Sequence, residues 1–484
     1  MKKFFEYLIF VFLLIVVLLG AWIQKLYGEL SYDQLIFHLN VPLTNGIAPS
    51  IIWKFFRYFI LPLIAIILLY SLLNKKYFSK HKRIKLAFYS SLLLTLSVLG
   101  QSIWHFDKLY KQSKIAHTYG NFYEEHYVNA EKQKIIFPKE KRNLVMLVIE
   151  SMESASSDNL NPFSKLTPNL TNIAQENITF SDLSRGGGGI IQSYGVGWTI
   201  AGITAYHCGI PLRLPIGGNS FDNTRSFLGG AVCLGDILHK EGYTQLSLIP
   251  HEQQFSGIGS FFKTHKIITK DERAYTKSHQ LPKDYKGYWG IKDSLILDLA
   301  KQELLALSQK KQTFALYILT IDTHAPNGFF DPNLCRAHFE NTSENNQYKN
   351  AILCTDSLVN EFVTWFKKQE FYSNTTLVIL GDHLSMKQNF VPNGTKRRIY
   401  NTFINPKFFH PVQNTNNRSF SHFDMLPTIL DSLGVEVKGG KLGLGSDLLG
   451  KQPTLLESGD FSQQILQRSK MYEKFLYKKH SYGN

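Results

Sequence analysis

Three short apolar runs in this 484-residue chain end on groups that can hold a cation or move a proton. Asn143–Ile149 runs into Glu150, Phe314–Ile321 into Asp322-Thr323-His324, and Thr375–Leu380 into Gly381-Asp382-His383. Carboxylates with one imidazole suit Mn²⁺ or Zn²⁺ and tolerate Mg²⁺. Glu150, Asp382 and His383 therefore form a candidate ligand set for one divalent metal ion. Such an ion polarises a phosphoryl oxygen and activates an oxygen nucleophile. The candidate nucleophile is Thr199, in Gly195-Val-Gly-Trp-Thr-Ile-Ala-Gly202, where glycines give way to a helix-forming segment. A hydroxyl at a helix N-terminus sees the positive end of the dipole and unpaired N–H groups, which favour an alkoxide and an approaching phosphate. Thr199 also reads as a plain N-cap, with Ser193 and Thr204 competing for the nucleophile's role. Any one acidic residue after a strand equally serves as a helix cap or a solvated loop residue. The coincidence at three strand ends is what points to chemistry.

The elements that must position these groups follow an α/β pattern. The three runs and Gln245–Pro250 are predicted as buried strands, and Asp293–Leu307 and Lys349–Lys368 have helical spacing. Apolar strands separated by helices indicate a mostly parallel sheet covered by helices on both faces. In such sheets ligands gather beyond the carboxyl ends of the strands. The predicted organisation is a membrane anchor over 1–104, a helical connector over 105–142, an extracytoplasmic catalytic domain over 143–455 and a tail over 456–484. The tail, which carries Lys and Arg, reads as a solvated end, with contact to the membrane as the other reading. Gly186–Gly189 is a low-complexity patch, and no internal repeat is visible.

The anchor rests on three apolar stretches, at 7–24, 51–73 and 86–104, each near the ~20 residues needed to cross ~30 Å of hydrocarbon. Lys54 and Arg57 lie near one end of the second, where long side chains snorkel. Lys2 and Lys3 would also suit a cleaved signal peptide, but no A-x-A pattern follows the first stretch and two more spans do. Lys75, Lys76, Lys80, Lys82, Arg83 and Lys85 crowd the second connection, whereas 25–50 carries one Lys against Glu29 and Asp33. The positive-inside rule puts the basic loop and the N-terminus in the cytoplasm and everything after Trp104 outside. All four cysteines, Cys208, Cys233, Cys335 and Cys354, lie in that exported part. Three pairings are open, and Cys208–Cys233 with Cys335–Cys354 is favoured because it closes local loops, with four free buried thiols as the other reading. Each bridge contributes roughly 2–4 kcal/mol in an oxidising compartment.

With 53 Lys+Arg against 38 Asp+Glu the net charge is +15, while charged residues are only 19% and hydrophobic ones 44%. That excludes a disordered chain, a collagen-like chain and a small disulfide scaffold. The basic balance does not require nucleic acid. Six of the positive charges face the cytoplasmic leaflet, no nucleic-acid motif is present, and basic residues near an anionic lipid account for the rest.

Several segments, in order, resemble the membrane phosphoglycerol transferases of the alkaline-phosphatase/sulfatase superfamily, in particular those that modify periplasmic glucans and more distantly the lipoteichoic-acid synthases. They are Val148-Ile-Glu-Ser-Met-Glu153, Trp198-Thr-Ile-Ala-Gly202, His207-Cys-Gly-Ile-Pro-Leu212, Cys233-Leu-Gly-Asp-Ile-Leu238, Trp289-Gly-Ile-Lys-Asp293, Thr320-Ile-Asp-Thr-His324, Gly381-Asp-His383 and Leu442-Gly-Leu-Gly445. The resemblance spans roughly 143–450. It implies that Glu150, Thr199, Asp382 and His383 hold one metal, Mn²⁺ favoured, and that His324 binds the substrate phosphate. It also implies that Thr199 attacks phosphatidylglycerol, leaving glycerophospho-threonine for a glycan hydroxyl to resolve. Such an enzyme works at the bacterial inner membrane, its catalytic domain facing the periplasm or outside. His422 and Asp424 resemble a late superfamily segment near the site, and read equally well as a structural turn. Trp289, Asp293 and His207 are read as structural at least as readily as functional.

Two features depart from the resemblance. The lipoteichoic-acid synthases carry a Trp and an Arg where this chain has Phe255-Ser-Gly-Ile258, and three spans are fewer than these relatives have. Three other readings compete: a phosphoethanolamine transferase acting on lipid A or a surface glycan, a sulfatase, and a non-catalytic membrane sensor or glycan-binding protein. Sulfatases convert the cysteine of C-x-P-x-R, and Cys208-Gly-Ile-Pro-Leu-Arg213 is one residue too long for that pattern.

Overall fold

The computed structural model describes residues 2–28, 31–40, 49–73, 82–154, 162–184, 188–213, 226–281, 285, 289–387, 390–392 and 394–477. Lys75, Lys76 and Lys80 of the basic loop, part of Gly186–Gly189 and the tail beyond 477 lie outside the described residues.

The chain begins with helix α1 (Lys2–Tyr27), a short helix α2 (Tyr32–Asn40), α3 (Leu61–Leu73), α4 (Lys82–Trp104) and α5 (Phe106–Ala116). Among the described residues, two segments are long and apolar enough to cross a membrane, Tyr7–Lys25 and Ile52–Leu72. Of the third expected span, the described stretch Phe88–Gly100 is apolar and helical. Phe10, Leu14, Val17, Tyr70 and Leu96 bring the three helices together in one small core.

A six-stranded sheet follows, built from β1 (Asn143–Ile149), β2 (Thr244–Leu248), β3 (Ile268–Lys270), β4 (Phe314–Leu319), β5 (Thr375–Gly381) and β6 (Asn401–Ile404). Its order is β3-β2-β4-β1-β5-β6. The first five strands are parallel and β6 pairs antiparallel with β5. Every residue of β1 is buried, as expected for a central strand covered on both sides. Leu144, Met146 and Val148 point into one core, Val145, Leu147 and Ile149 into the other. Helices α6 (Thr199–Cys208), α7 (Asp293–Ser308) and α8 (Glu344–Phe366) help cover the two faces. The strands and helices read from sequence are all present. The edge strands β3 and β6, of three and four residues, were too short to read by pattern.

Two outer regions pack more closely than expected. In the connector, Ile135–Ile136 pairs antiparallel with Glu436–Val437. The tail is no solvated end over its described part: Phe461, Ile465, Leu466, Tyr472 and Phe475 are all buried. The Phe461 ring stacks on Phe122 at 5.7 Å between centroids, and Tyr472 meets Tyr123 edge-on at 5.1 Å. These aromatics, set among Lys and Gln, leave no periodic signal, so charge dominated the sequence reading. Both local disulfides, Cys208–Cys233 and Cys335–Cys354, are formed.

Candidate active site

Strands β1, β4 and β5 lie side by side and parallel, so their carboxyl ends open on one rim. Glu150 follows β1 directly, and Asp382-His383 follows β5. Glu150, Asp382 and His383 are buried, and one ligand atom from each lies within 4.8 Å of the others. His383 Nε2 is 3.5 Å from Glu150 Oε1 and 3.4 Å from Asp382 Oδ2. Thr199, the first residue of α6, completes the group: its hydroxyl donates to Glu150 Oε2 at 3.0 Å.

The surrounding backbone holds each ligand at a set angle. Asp382 Oδ1 accepts the amides of Ser151 at 2.7 Å and His383 at 2.8 Å, while Oδ2 is buried without a hydrogen-bond partner. His383 Nδ1 lies 2.8 Å from the Leu384 carbonyl. A carbonyl only accepts, so Nδ1 is the donor there and Nε2 is the ring nitrogen that faces the carboxylates. Glu150 accepts the Ser151 hydroxyl through Oε1 at 2.7 Å.

Electrostatics point the same way. Burial, then the charge of Glu150, push the Asp382 carboxyl well above its ordinary value. Burial also works to raise Glu150, but His383, His324 and the Ser151 hydroxyl outweigh it and bring it below its ordinary value. Two buried carboxylates, one of them with an orphaned oxygen, and an imidazole nitrogen converge on one point. That donor set fits a divalent cation, which would neutralise the repulsion between the acids.

The Thr-Ile-Ala-Gly motif has a packing reason. A Cβ on Gly202 would collide with the main-chain carbonyl of Asp382, so only glycine lets the first turn of α6 approach the ligand loop. The same carbonyl accepts His422 Nε2 at 2.8 Å. Tyr206 stacks on His422 at 4.9 Å and donates its hydroxyl to the Gly381 carbonyl. His422 thus touches the ligand loop's backbone. Asp424 instead holds the turn, accepting the amides of Ser421 and Ser446, each at 2.8 Å.

The remaining residues singled out in the sequence divide clearly. His324 lies close enough to Glu150 to lower its pKa, and its ring packs on Trp289 at 4.4 Å. Its Nδ1 is 2.7 Å from the Ala325 carbonyl. Asp293 braces the turn after β4, accepting the amides of Ile321 and Asp322 at 2.8 and 3.0 Å. His207 sits among Phe261, Phe262 and Tyr317, away from the ligand set. Thr204 is buried within α6.

Sequence reasoning missed His251. It stands just past the carboxyl end of β2, on the same rim, and applying the strand-end rule to Gln245–Pro250 would have found it. Burial lowers it to about 4, with Glu150 pulling upward and His324 pushing down. Its ring packs against Phe255 at 4.8 Å.

A sheet with this strand order, a hydroxyl at a helix N-terminus and an acidic-imidazole cluster at the strand ends define the class. The family described as Sulfatase matches residues 142–435, more than half of the chain, and the chain belongs to that family. Among curated proteins, it is 32% identical over 315 residues to "Phosphoglycerol transferase I" of Salmonella choleraesuis (strain SC-B67), which covers 65% of this chain and 40% of that protein. The phosphoglycerol transferase I of Salmonella typhimurium matches to the same extent, 32% over 315 residues, with the same coverages of 65% and 40%. The match thus spans about two fifths of these relatives' length. Among solved structures, the lipoteichoic acid synthase LtaP from Listeria monocytogenes has the same fold, with a TM-score of 0.50 and 16% identity, covering 68% of this chain and 80% of that one. Family membership does not carry the cysteine chemistry of sulfate-ester hydrolysis here, because Cys208 is bonded to Cys233.

Proposed function

We propose that this chain is a membrane-anchored phosphotransferase. In this reading it moves a phosphoglycerol group from phosphatidylglycerol to an extracytoplasmic glycan through a phospho-threonine intermediate. The observation that carries the reading is the Thr199 hydroxyl seated on Glu150 at 3.0 Å, within the Glu150, Asp382 and His383 cluster. The similarity to the phosphoglycerol transferases supports the choice of headgroup.

Glu150, Thr199, Asp382 and His383 would hold the cation, Mn²⁺ favoured, with Mg²⁺ or Zn²⁺ as alternatives. When bound, it supplies Lewis-acid polarisation of a phosphoryl oxygen and lowers the pKa of the nearby hydroxyl. Glu150 Oε2 accepts the hydrogen bond of Thr199 and so aims the oxygen lone pairs outward. The N-terminus of α6 adds its dipole and free amides to an approaching phosphate. The Thr199 oxygen forms a bond to phosphorus as the bond to the diacylglycerol oxygen breaks, and that oxygen leaves with the proton the threonine hydroxyl gives up. A glycan hydroxyl then attacks the same phosphorus, the bond to Thr199 breaks, and the glycan's proton returns to the threonine. Splitting one displacement into two is nucleophilic catalysis. His324, with His251 beside it, faces the phosphate and headgroup. The domain over 143–455 carries this chemistry outside the inner membrane, with 1–104 keeping it beside its lipid donor.

The test supplies the full chain in detergent, with Mn²⁺ and a periplasmic glucan, and with either phosphatidylglycerol or phosphatidylethanolamine labelled in its headgroup. Label passing from phosphatidylglycerol into the glucan with release of diacylglycerol is expected. Label transfer from phosphatidylethanolamine alone would move the assignment to a phosphoethanolamine transferase, and no transfer from either lipid would leave a non-catalytic sensor or glycan-binding protein.

A further inference from the structure

The segment that delivers Thr199 is held from an unexpected side. Helix α2 lies between the two segments long enough to cross a membrane, 162 residues before Gly195. Asp33 and Gln34 of α2 are each only 7% exposed. Asp33 Oδ2 accepts the Gly195 amide at 2.8 Å, and Asp33 also accepts the Ser31 hydroxyl. Gln34 Nε2 donates to the Gly197 carbonyl at 3.2 Å. On the other side, the Gly195 carbonyl accepts the Leu212 amide at 2.8 Å. The strap before the helix is therefore clamped between the catalytic domain and α2.

The glycines of Gly195-Val-Gly-Trp-Thr explain themselves on this geometry. Gly195 has φ +71°, the left-handed region where glycine is favoured. A Cβ on Gly197 would stand 2.8 Å from Gln34 Nε2, so the absence of a side chain there makes room for α2. Trp198 is 4% exposed, and its carbonyl accepts the amides of Ala201 and Gly202 at 2.9 and 3.0 Å, starting the helix on which Thr199 stands. Any shift of the strap therefore moves the Thr199 oxygen. α2 is itself anchored, its Tyr32 amide donating to Gln112 of α5 at 3.1 Å.

We propose that Asp33 and Gln34, from the membrane-anchoring part of the chain, are positioning residues that hold the Gly195–Trp198 strap and thereby set the attack geometry of Thr199. The inference rests on the proposed role of Thr199. It makes the N-terminal part a component of the active site, beyond its service as an anchor. Misplacing a reacting atom by about 1 Å costs on the order of 10²-fold in rate, so a loosened strap is expressed in kcat and not in donor affinity.

The test uses the full chain in detergent with Mn²⁺ and phosphatidylglycerol, comparing wild type with Asp33→Ala, Asp33→Asn and Gln34→Ala. Hydrogen exchange of peptides covering 193–199 is expected to speed up roughly tenfold in Asp33→Ala. Its kcat for diacylglycerol release is expected to fall by about an order of magnitude, with KM for the lipid unchanged. Asp33→Asn keeps an oxygen to accept the Gly195 amide and is expected to recover most of both losses. If Asp33→Ala does not accumulate, Gln34→Ala reads the same two quantities, with a smaller change in each expected. Wild-type exchange over 193–199 in the variants overturns the inference, as does a fall in kcat without faster exchange there. Wild type that releases no diacylglycerol overturns the proposed function instead, and the exchange comparison still decides whether α2 holds the strap.

Discussion

Gly202 and Asp382 touch through backbone alone: the α-carbon of one faces the main-chain carbonyl of the other so closely that a Cβ has no room. This contact sets the distance between the helix that carries Thr199 and the loop that carries two of the three candidate ligands. Gly202→Ala is therefore expected to push the two apart. Overpacking of this kind costs about 1–3 kcal/mol. A lower thermal midpoint should accompany a loss of diacylglycerol release, both measured on the full chain. Wild-type values for both would show that the helix and loop yield without consequence.

Asp382 Oδ2 is buried with no hydrogen-bond partner, which argues that a cation belongs beside it. Asp382→Ala is expected to lower Mn²⁺ affinity by at least roughly tenfold, since one charged ligand is gone. Titration calorimetry on the chelator-stripped protein measures it directly. Unchanged stoichiometric binding would remove Asp382 from the ligand set.

Far from the site, His410 Nδ1 lies 2.5 Å from Asp431 Oδ2 and 2.9 Å from Asp447 Oδ2. Burial, then the charge of Asp431, push Asp447 up to about 8 from 3.8. The folded state thus holds a proton that the unfolded chain releases near pH 4. Its stabilising contribution is fully present below that pH and is lost as pH rises toward about 8. Asp447→Asn mimics the protonated form, so its stability should fall less than wild type's between pH 5 and pH 9. Denaturant midpoints at the two pH values check this, and parallel losses would contradict it.

Much of the scaffold was legible because its strands are continuous apolar runs, and a buried parallel strand leaves no other pattern. The ligand candidates were legible for a related reason: Glu150 and Asp382-His383 directly follow such runs, and strand ends are where an α/β sheet opens. His251 obeys the same rule at one remove: its strand ends at Leu248, and Ile249 and Pro250 separate that end from His251 and Glu252. Contacts between distant stretches were not legible. Nothing local to Asp33 says that it meets Gly195, nor does the charged tail announce that Tyr472 and Phe475 lie in the core. The glycines of 195–202 were visible as a motif, but their reason, close approach by Gln34 and by the Asp382 carbonyl, exists only in three dimensions.

The central claim is that the Thr199 oxygen takes the phosphoryl group. Full-length protein exposed to phosphatidylglycerol and Mn²⁺ without an acceptor, quenched in acid and digested, can be read by tandem mass spectrometry. The account predicts a glycerophosphate adduct on Thr199, absent when the ion is chelated and absent in Thr199→Ala, whose turnover should fall at least roughly a thousandfold. Turnover that continues in Thr199→Ala, or an adduct on Ser193 or Thr204 in its place, would contradict it.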